Sequence, residues 1–153
     1  MKQAREHQTF HVGLKAFVAN EDKLLILQDE DGFWELPGGR VEKGEIFDGL
    51  EKSLRREVAE ELGVSFQYEV KNIFYAWIRK PDPLQSPSDA VAYAGKDLCI
   101  FLVGITCEYK NGEPELSPEH QNFRWITKEE IDKLVFENTY KDAIKKYFHR
   151  FEN

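Results

Sequence analysis

The chain has 153 residues, which sets the expectation of one domain over residues 1–153 with a core of its own. Apolar residues make up 41% and charged residues 32%, a balance that points to a globular protein and away from a disordered or fibrous one. The formal charge of −7 argues against a nucleic-acid polymer or an anionic membrane as partner, since both need a cationic surface. It leaves room for a small nucleotide whose phosphates are met by metal ions.

Residues 1–11 are polar and carry no signal-peptide apolar stretch. No run approaches the 18 or more apolar residues of a membrane span, and no tandem repeat is evident. From Thr9 the apolar residues Phe10, Val12, Leu14, Ala16 and Val18 alternate with others, which predicts a strand. A polar turn at Asn20, Glu21, Asp22 and Lys23 leads into the apolar run 24–28, so the two form a hairpin. Asp29, Glu30, Asp31 and Gly32 make an acidic turn. Trp34 then precedes a Leu-Pro-Gly-Gly-Arg loop at 36–40 and is either a bulky core residue or a stacking platform for a base.

Residues 50–62 read as a helix. Leu50, Leu54, Val58 and Leu62 recur every four positions and form one apolar stripe. Glu57, Glu60 and Glu61 fall on the other side, within an arc of roughly 100°. Carboxylates so close raise one another's pKa unless a cation neutralises them, and their oxygens are ligands that Mg²⁺ or Mn²⁺ prefers. A solvated acidic face is the plainer alternative, and the residues alone leave both open. Gly63 stands where a capping glycine would.

Residues 64–79 suggest one or two strands with a break near Lys71 and Asn72. Residues 80–97 hold three prolines and read as a long loop, either a specificity lid or an irregular connection. The run 98–109 is the most hydrophobic in the chain and predicts a central strand. It contains Cys99 and Cys107, the two cysteines of the chain, read as reduced thiols of a cytoplasmic protein. A short strand follows at 123–126. Thr127 and Glu130 form a capping-box signature, with Ile131, Leu134 and Val135 at helical spacing behind them. A last helix starts near Thr139, with Ala143, Ile144, Tyr147, Phe148 and Phe151 on its apolar face. The fold class is α/β, with helices packed on a mixed sheet.

Segment 39–64 resembles the signature box of the Nudix hydrolases, the MutT-like family. Gly39 is followed after five residues by Glu45, and residues 56–64 match the second half of the box position by position. The approach through Trp34, Glu35, Leu36, Pro37 and Gly38 is similar too. One departure is clear. Ten residues separate Glu45 from Arg56, where the family pattern has seven. Residues 46–49 are the natural place for the three extra residues, because the leucine stripe begins at Leu50. Placed there, they bulge outward and leave the glutamates where they belong, and the position of Glu45 is what the insertion puts at stake.

The resemblance implies a Nudix fold, a mixed sheet sandwiched between helices in an α/β/α arrangement. It implies hydrolysis of a nucleoside diphosphate linked to another moiety, by water attack on the pyrophosphate. Glu57, Glu60 and Glu61 would ligate Mg²⁺ or Mn²⁺, with the Gly38 carbonyl as a further ligand. Arg56 would orient the catalytic glutamates and pair with Glu45. Glu61 is the first candidate for general base and Glu119 the second, the latter with an ordinary surface carboxylate as its alternative. Gly38 and Gly39 would allow close approach to metal or phosphate, and Arg40 would contact a phosphate or face solvent. His120 receives no catalytic assignment. The positions that mark ADP-ribose and dinucleoside polyphosphate subfamilies hold Arg79 and Lys80, so neither marker is met. The size suits a small nucleotide such as a nucleoside triphosphate; related proteins are commonly homodimers, while the sequence itself leaves the oligomeric state open. A nucleotide-binding module without turnover is the alternative reading.

Overall fold

In the computed structural model, which describes residues 1, 3–79, 99–137 and 139–152, seven strands form one mixed sheet. They are β1 (His11–Asn20), β2 (Lys23–Asp29), β3 (Trp34–Glu35), β4 (Gly38–Arg40), β5 (Gln67–Arg79), β6 (Ile100–Asn111) and β7 (His120–Ile126). Among the described residues two α-helices accompany them, α1 (Leu50–Leu62) and α2 (Tyr140–His149), with 3-10 turns at Glu45–Asp48 and Lys128–Lys133.

β1 is the organising strand. Along one edge it runs parallel to β6, from His11 opposite Ile100 to Ala19 opposite Glu108. Its other edge is divided. Gly13, Leu14 and Lys15 pair with Arg40, Gly39 and Gly38 of β4, while Ala19 and Asn20 close the hairpin with β2. β2 leaves β1 beyond that turn and pairs with β3 and β7. The divergence of β1 and β2 opens the space into which the 36–40 segment fits.

Both faces of the sheet are covered. Leu54, Val58 and Leu62 of α1 pack on Leu14, Ala16, Val18, Leu25, Leu27 and Ile105. On the opposite face Tyr140, Ala143, Ile144 and Tyr147 of α2 pack on Phe17, Leu24, Ile26, Trp77 and Leu102. This is the expected α/β/α sandwich. β1 is the strand expected from its alternating apolar residues, and residues 13–18 are buried on both faces, including Lys15. A doubly covered strand needs no polar alternation.

The differences from expectation have local causes. The 36–40 segment, expected to be all loop, contributes β4. The expected break near Lys71 and Asn72 is a bulge inside one continuous strand, with the register shifting between Val70 and Ile73. The Thr106 hydroxyl accepts from Asn72 N–H and donates to Asn72 O, both at 3.1 Å, and so takes up the displaced peptide. At the capping box the Glu130 carboxylate accepts from Thr127 N–H at 2.9 Å, but the turn is 3-10 and short. Val135 is exposed there and its carbonyl accepts from Trp34 N–H at 2.9 Å. Cys99 and Cys107 are free thiols, as expected. The expected loop at 80–97 lies outside the described residues.

Candidate active site

α1 has the predicted bounds and rotation. It begins after Gly49 and ends at Gly63, whose φ is +82° and whose N–H donates to Ala59 O at 3.0 Å. Burial of Leu54, Val58 and Leu62 turns Glu57 and Glu61 towards the 36–40 segment. Two further hydrogen bonds cap the carbonyl end of the helix. Glu115 N–H donates to Leu62 O at 2.9 Å, and Ser117 N–H to Glu61 O at 3.2 Å.

Glu61 is 5% exposed, and its Oε2 accepts from Gly38 N–H at 2.8 Å. Burial pushes its carboxyl up to about 8, against the pull of Lys15. Glu57 is also shifted up by burial, opposed by Arg56 Nη2 at 2.9 Å. A Cβ on Gly39 would collide with the Glu57 carboxylate, so this glycine makes the space in which the carboxylate sits. Glu60 is exposed, and Arg56 Nη1 donates to both its oxygens at 3.3 Å.

The Glu45–Arg56 pair spans the insertion intact. Arg56 Nε donates to Glu45 Oε2 at 2.6 Å and Nη2 to Oε1 at 3.0 Å, a bidentate clamp. The Arg56 bond holds the Glu45 carboxyl down at about 2. The inserted length is taken up by the 3-10 turn Glu45–Asp48 and by Gly49 at φ +94°, with no residue of that turn buried and Phe47 90% exposed. The bulge is therefore outward and ahead of α1, as expected.

Glu57, Glu61, Gly38, Gly39, Arg40 and Glu119 all line one cleft of about 950 Å³. Glu60 and Trp34 do not. Trp34 is 6% exposed and packs in the α2-side core, which decides between its two readings for the core residue and against the base platform. Glu119 is exposed on the turn before β7. Arg40 Nη1 lies 3.1 Å from His11 Nδ1 at the cleft.

The cleft also gathers groups that the sequence reading left aside: Lys15, Asp29, Glu35, Arg79, His120, Glu137 and Tyr140. His120 Nε2 is 2.8 Å from Glu35 Oε1, and Lys15 Nζ is 3.9 Å from the same oxygen. Burial works against ionisation of Glu35, yet Lys15 and then His120 overcome it and hold the carboxyl at about 2. Burial likewise opposes the Lys15 ammonium, and Glu35, Tyr140, Glu61 and Glu137 outweigh it and keep the group charged. Arg79 pairs with Glu137, whose carboxyl burial pushes up to about 7. The signal for Lys15 was present in the sequence, a lone cation inside an apolar strand run. The others are assembled from distant segments.

The donor set suits a divalent cation. Glu35, Glu61 and His120 bring ligand atoms within 4.8 Å of one another, as do Asp29, Glu35 and Glu137. Glu57 faces the same cleft, and Gly39 leaves room beside it. Oxygen donors dominate, as hard divalent ions require.

The sequence profile of the NUDIX domain matches residues 9–149, and the chain belongs to that family. Nudix-type hydrolysis of a nucleotide diphosphate moiety is the class of reaction that goes with this membership. Among curated relatives, the nucleoside triphosphatase NudI of Enterobacter sp. (strain 638) is 29% identical over 103 residues, 67% of this chain and 67% of that protein. NudI of Escherichia coli O139:H28 is 30% identical over 100 residues, 65% of each chain. The matched stretch thus spans about two thirds of these relatives' length. A NUDIX hydrolase from Nitrosomonas europaea superposes with a TM-score of 0.69 at 18% identity, over 95% of this chain and 74% of that one.

Proposed function

We propose that the chain is a divalent-metal-dependent pyrophosphohydrolase of a small nucleotide, with a nucleoside triphosphate as substrate. The observation that carries this reading is the placement of Glu57 and Glu61 beside Gly38 and Gly39 on the wall of one cleft. Its volume of about 950 Å³ is at the upper end of what small-molecule sites occupy. The similarity to nucleoside triphosphatases supports the choice of substrate.

In this reading Glu57 and Glu61 would hold Mg²⁺ or Mn²⁺, Glu60 would join them on release from Arg56, and the Gly38 carbonyl, met by Lys15 Nζ at 3.3 Å, drops out of the expected ligand set. The bound ion supplies charge neutralisation of the diphosphate and a more acidic water. Arg56, clamped by Glu45, holds Glu57 in position. Arg40 lies where a phosphate enters, and Glu119 accepts the proton of the attacking water from the opposite wall. Gly38 N–H fixes Glu61 Oε2, which leaves Oε1 for the ion.

The test is a panel of nucleoside triphosphates, nucleotide sugars, ADP-ribose and dinucleoside polyphosphates with Mg²⁺ or Mn²⁺. Glu57→Gln and Glu61→Gln should each lower kcat by about 10²-fold or more with the fold retained. Full activity in both variants would remove the site assignment. Tight nucleotide binding with no turnover under any divalent ion would leave a binding module.

A further inference from the structure

Residues 36–38 present three successive carbonyls to β1. The Pro37 oxygen accepts from Ala16 N–H at 2.8 Å. The other two are met by one side chain. Lys15 Nζ donates to Leu36 O at 3.1 Å and to Gly38 O at 3.3 Å. Extended backbone sends alternate carbonyls to the same side, so a single ammonium opposite Gly38 in the β1–β4 register reaches both. Burying that ammonium is costly without partners. It has them in Glu35 and in the Tyr140 ring, whose centroid is 5.3 Å away.

We propose that Lys15 is a positioning residue for the hydrolysis. Its ammonium ties the Leu36–Pro37 and Gly38–Gly39 peptides, which flank the Pro37–Gly38 peptide that Ala16 N–H holds, and so keeps Gly38 N–H aimed at Glu61 Oε2. It acts through the loop and not on the phosphates. The catalytic part of this proposal rests on Glu61 being a working carboxylate of the site, as argued above. The competing use of the same groups is a further divalent ion held by Glu35, Glu61 and His120. Lys15 Nζ lies 3.9 Å from Glu35 Oε1, so it and such an ion compete for the same carboxylate.

The experiment compares the intact chain with Lys15→Met and Lys15→Arg. Methionine keeps the length of the stem and removes the charge. Amide hydrogen exchange is followed in the metal-free protein, and kcat and KM are measured with the nucleotide that the panel identifies. In Lys15→Met the Gly38 amide should exchange roughly tenfold faster or more, while the amides of Leu62 and Ile144 keep their protection. kcat should fall about 10- to 100-fold with KM changed by less than about threefold, as expected when a group is displaced by a fraction of an ångström. Lys15→Arg should recover part of the Gly38 protection.

Unchanged exchange at Gly38 would overturn the proposal. So would a uniform loss of protection across the chain, which would make Lys15 a support of the whole fold. A divalent ion bound at Glu35, detected as a Mn²⁺ spin-resonance signal lost in Glu35→Gln, would also overturn it. If the wild type turns over no nucleotide, the hydrolase reading fails, while the exchange data still decide whether Lys15 holds the loop.

Discussion

The connections at residues 36–40 and 45–49 both contain glycine, and they are built in opposite ways. In the first, every carbonyl from Leu36 to Gly38 is bonded to β1, and a Cβ on Gly38 would run into the Leu14 carbonyl. In the second, residues 46–49 are exposed beyond the clamped Glu45, and a Cβ on Gly49 would meet nothing within 4 Å. The family pattern is kept at the first and lengthened by three residues at the second. Extra length is accepted where backbone and side chains are solvated, and excluded where the backbone is a bonded part of the site.

Substitutions can break this contrast, and the largest effect should come from Gly38→Ala. Its φ of +133° and the backbone collision together predict a loss of about 3 kcal/mol, or a Tm lower by roughly 6–12 °C. Thermal unfolding checks it. Gly39→Ala meets a mobile carboxylate instead of backbone. It should leave Tm within about 2 °C while displacing Glu57 and lowering kcat by about tenfold or more.

Glu45→Gln tests the clamp across the exposed joint. Because Arg56 holds the Glu45 carboxyl at about 2, below its ordinary value of 4.5, the clamp stabilises fully above that value. Its contribution is lost as pH falls towards 2. The Tm gap between wild type and Glu45→Gln should therefore be widest near neutral pH and close progressively below pH 4.5. The smallest effect is expected from Phe47→Ser. This 90%-exposed ring should change stability by no more than about 0.5 kcal/mol in chemical denaturation. A large loss there would mean that the joint is packed against something, and the contrast would fail.

The helix was legible because a four-residue repeat of leucine and valine sets its rotation, and the rotation places the glutamates. The place of the insertion followed from the same stripe. The two-sided burial of β1 was harder to read, since Phe10 to Val18 fits an alternating strand equally well until helices are known to cover both faces. Lys15 drew no assignment although it is a cation in an apolar run, because its partners are carbonyls about twenty residues away. Glu35 and His120 are 85 positions apart and touch only because β2 pairs with both β3 and β7. No periodicity carries that information. Trp34 stayed between two readings for a related reason. Its neighbours include α2, more than a hundred residues on.

The last carbonyls of a helix have no partner within it. In α1 two of them, on Glu61 and Leu62, are taken by the amides of Ser117 and Glu115. Glu119 stands two residues beyond the nearer of these fastenings. The two backbone bonds therefore fasten the stretch that leads to Glu119 onto the C-terminal end of the helix that carries Glu57 and Glu61, and all three carboxylates line the one cleft.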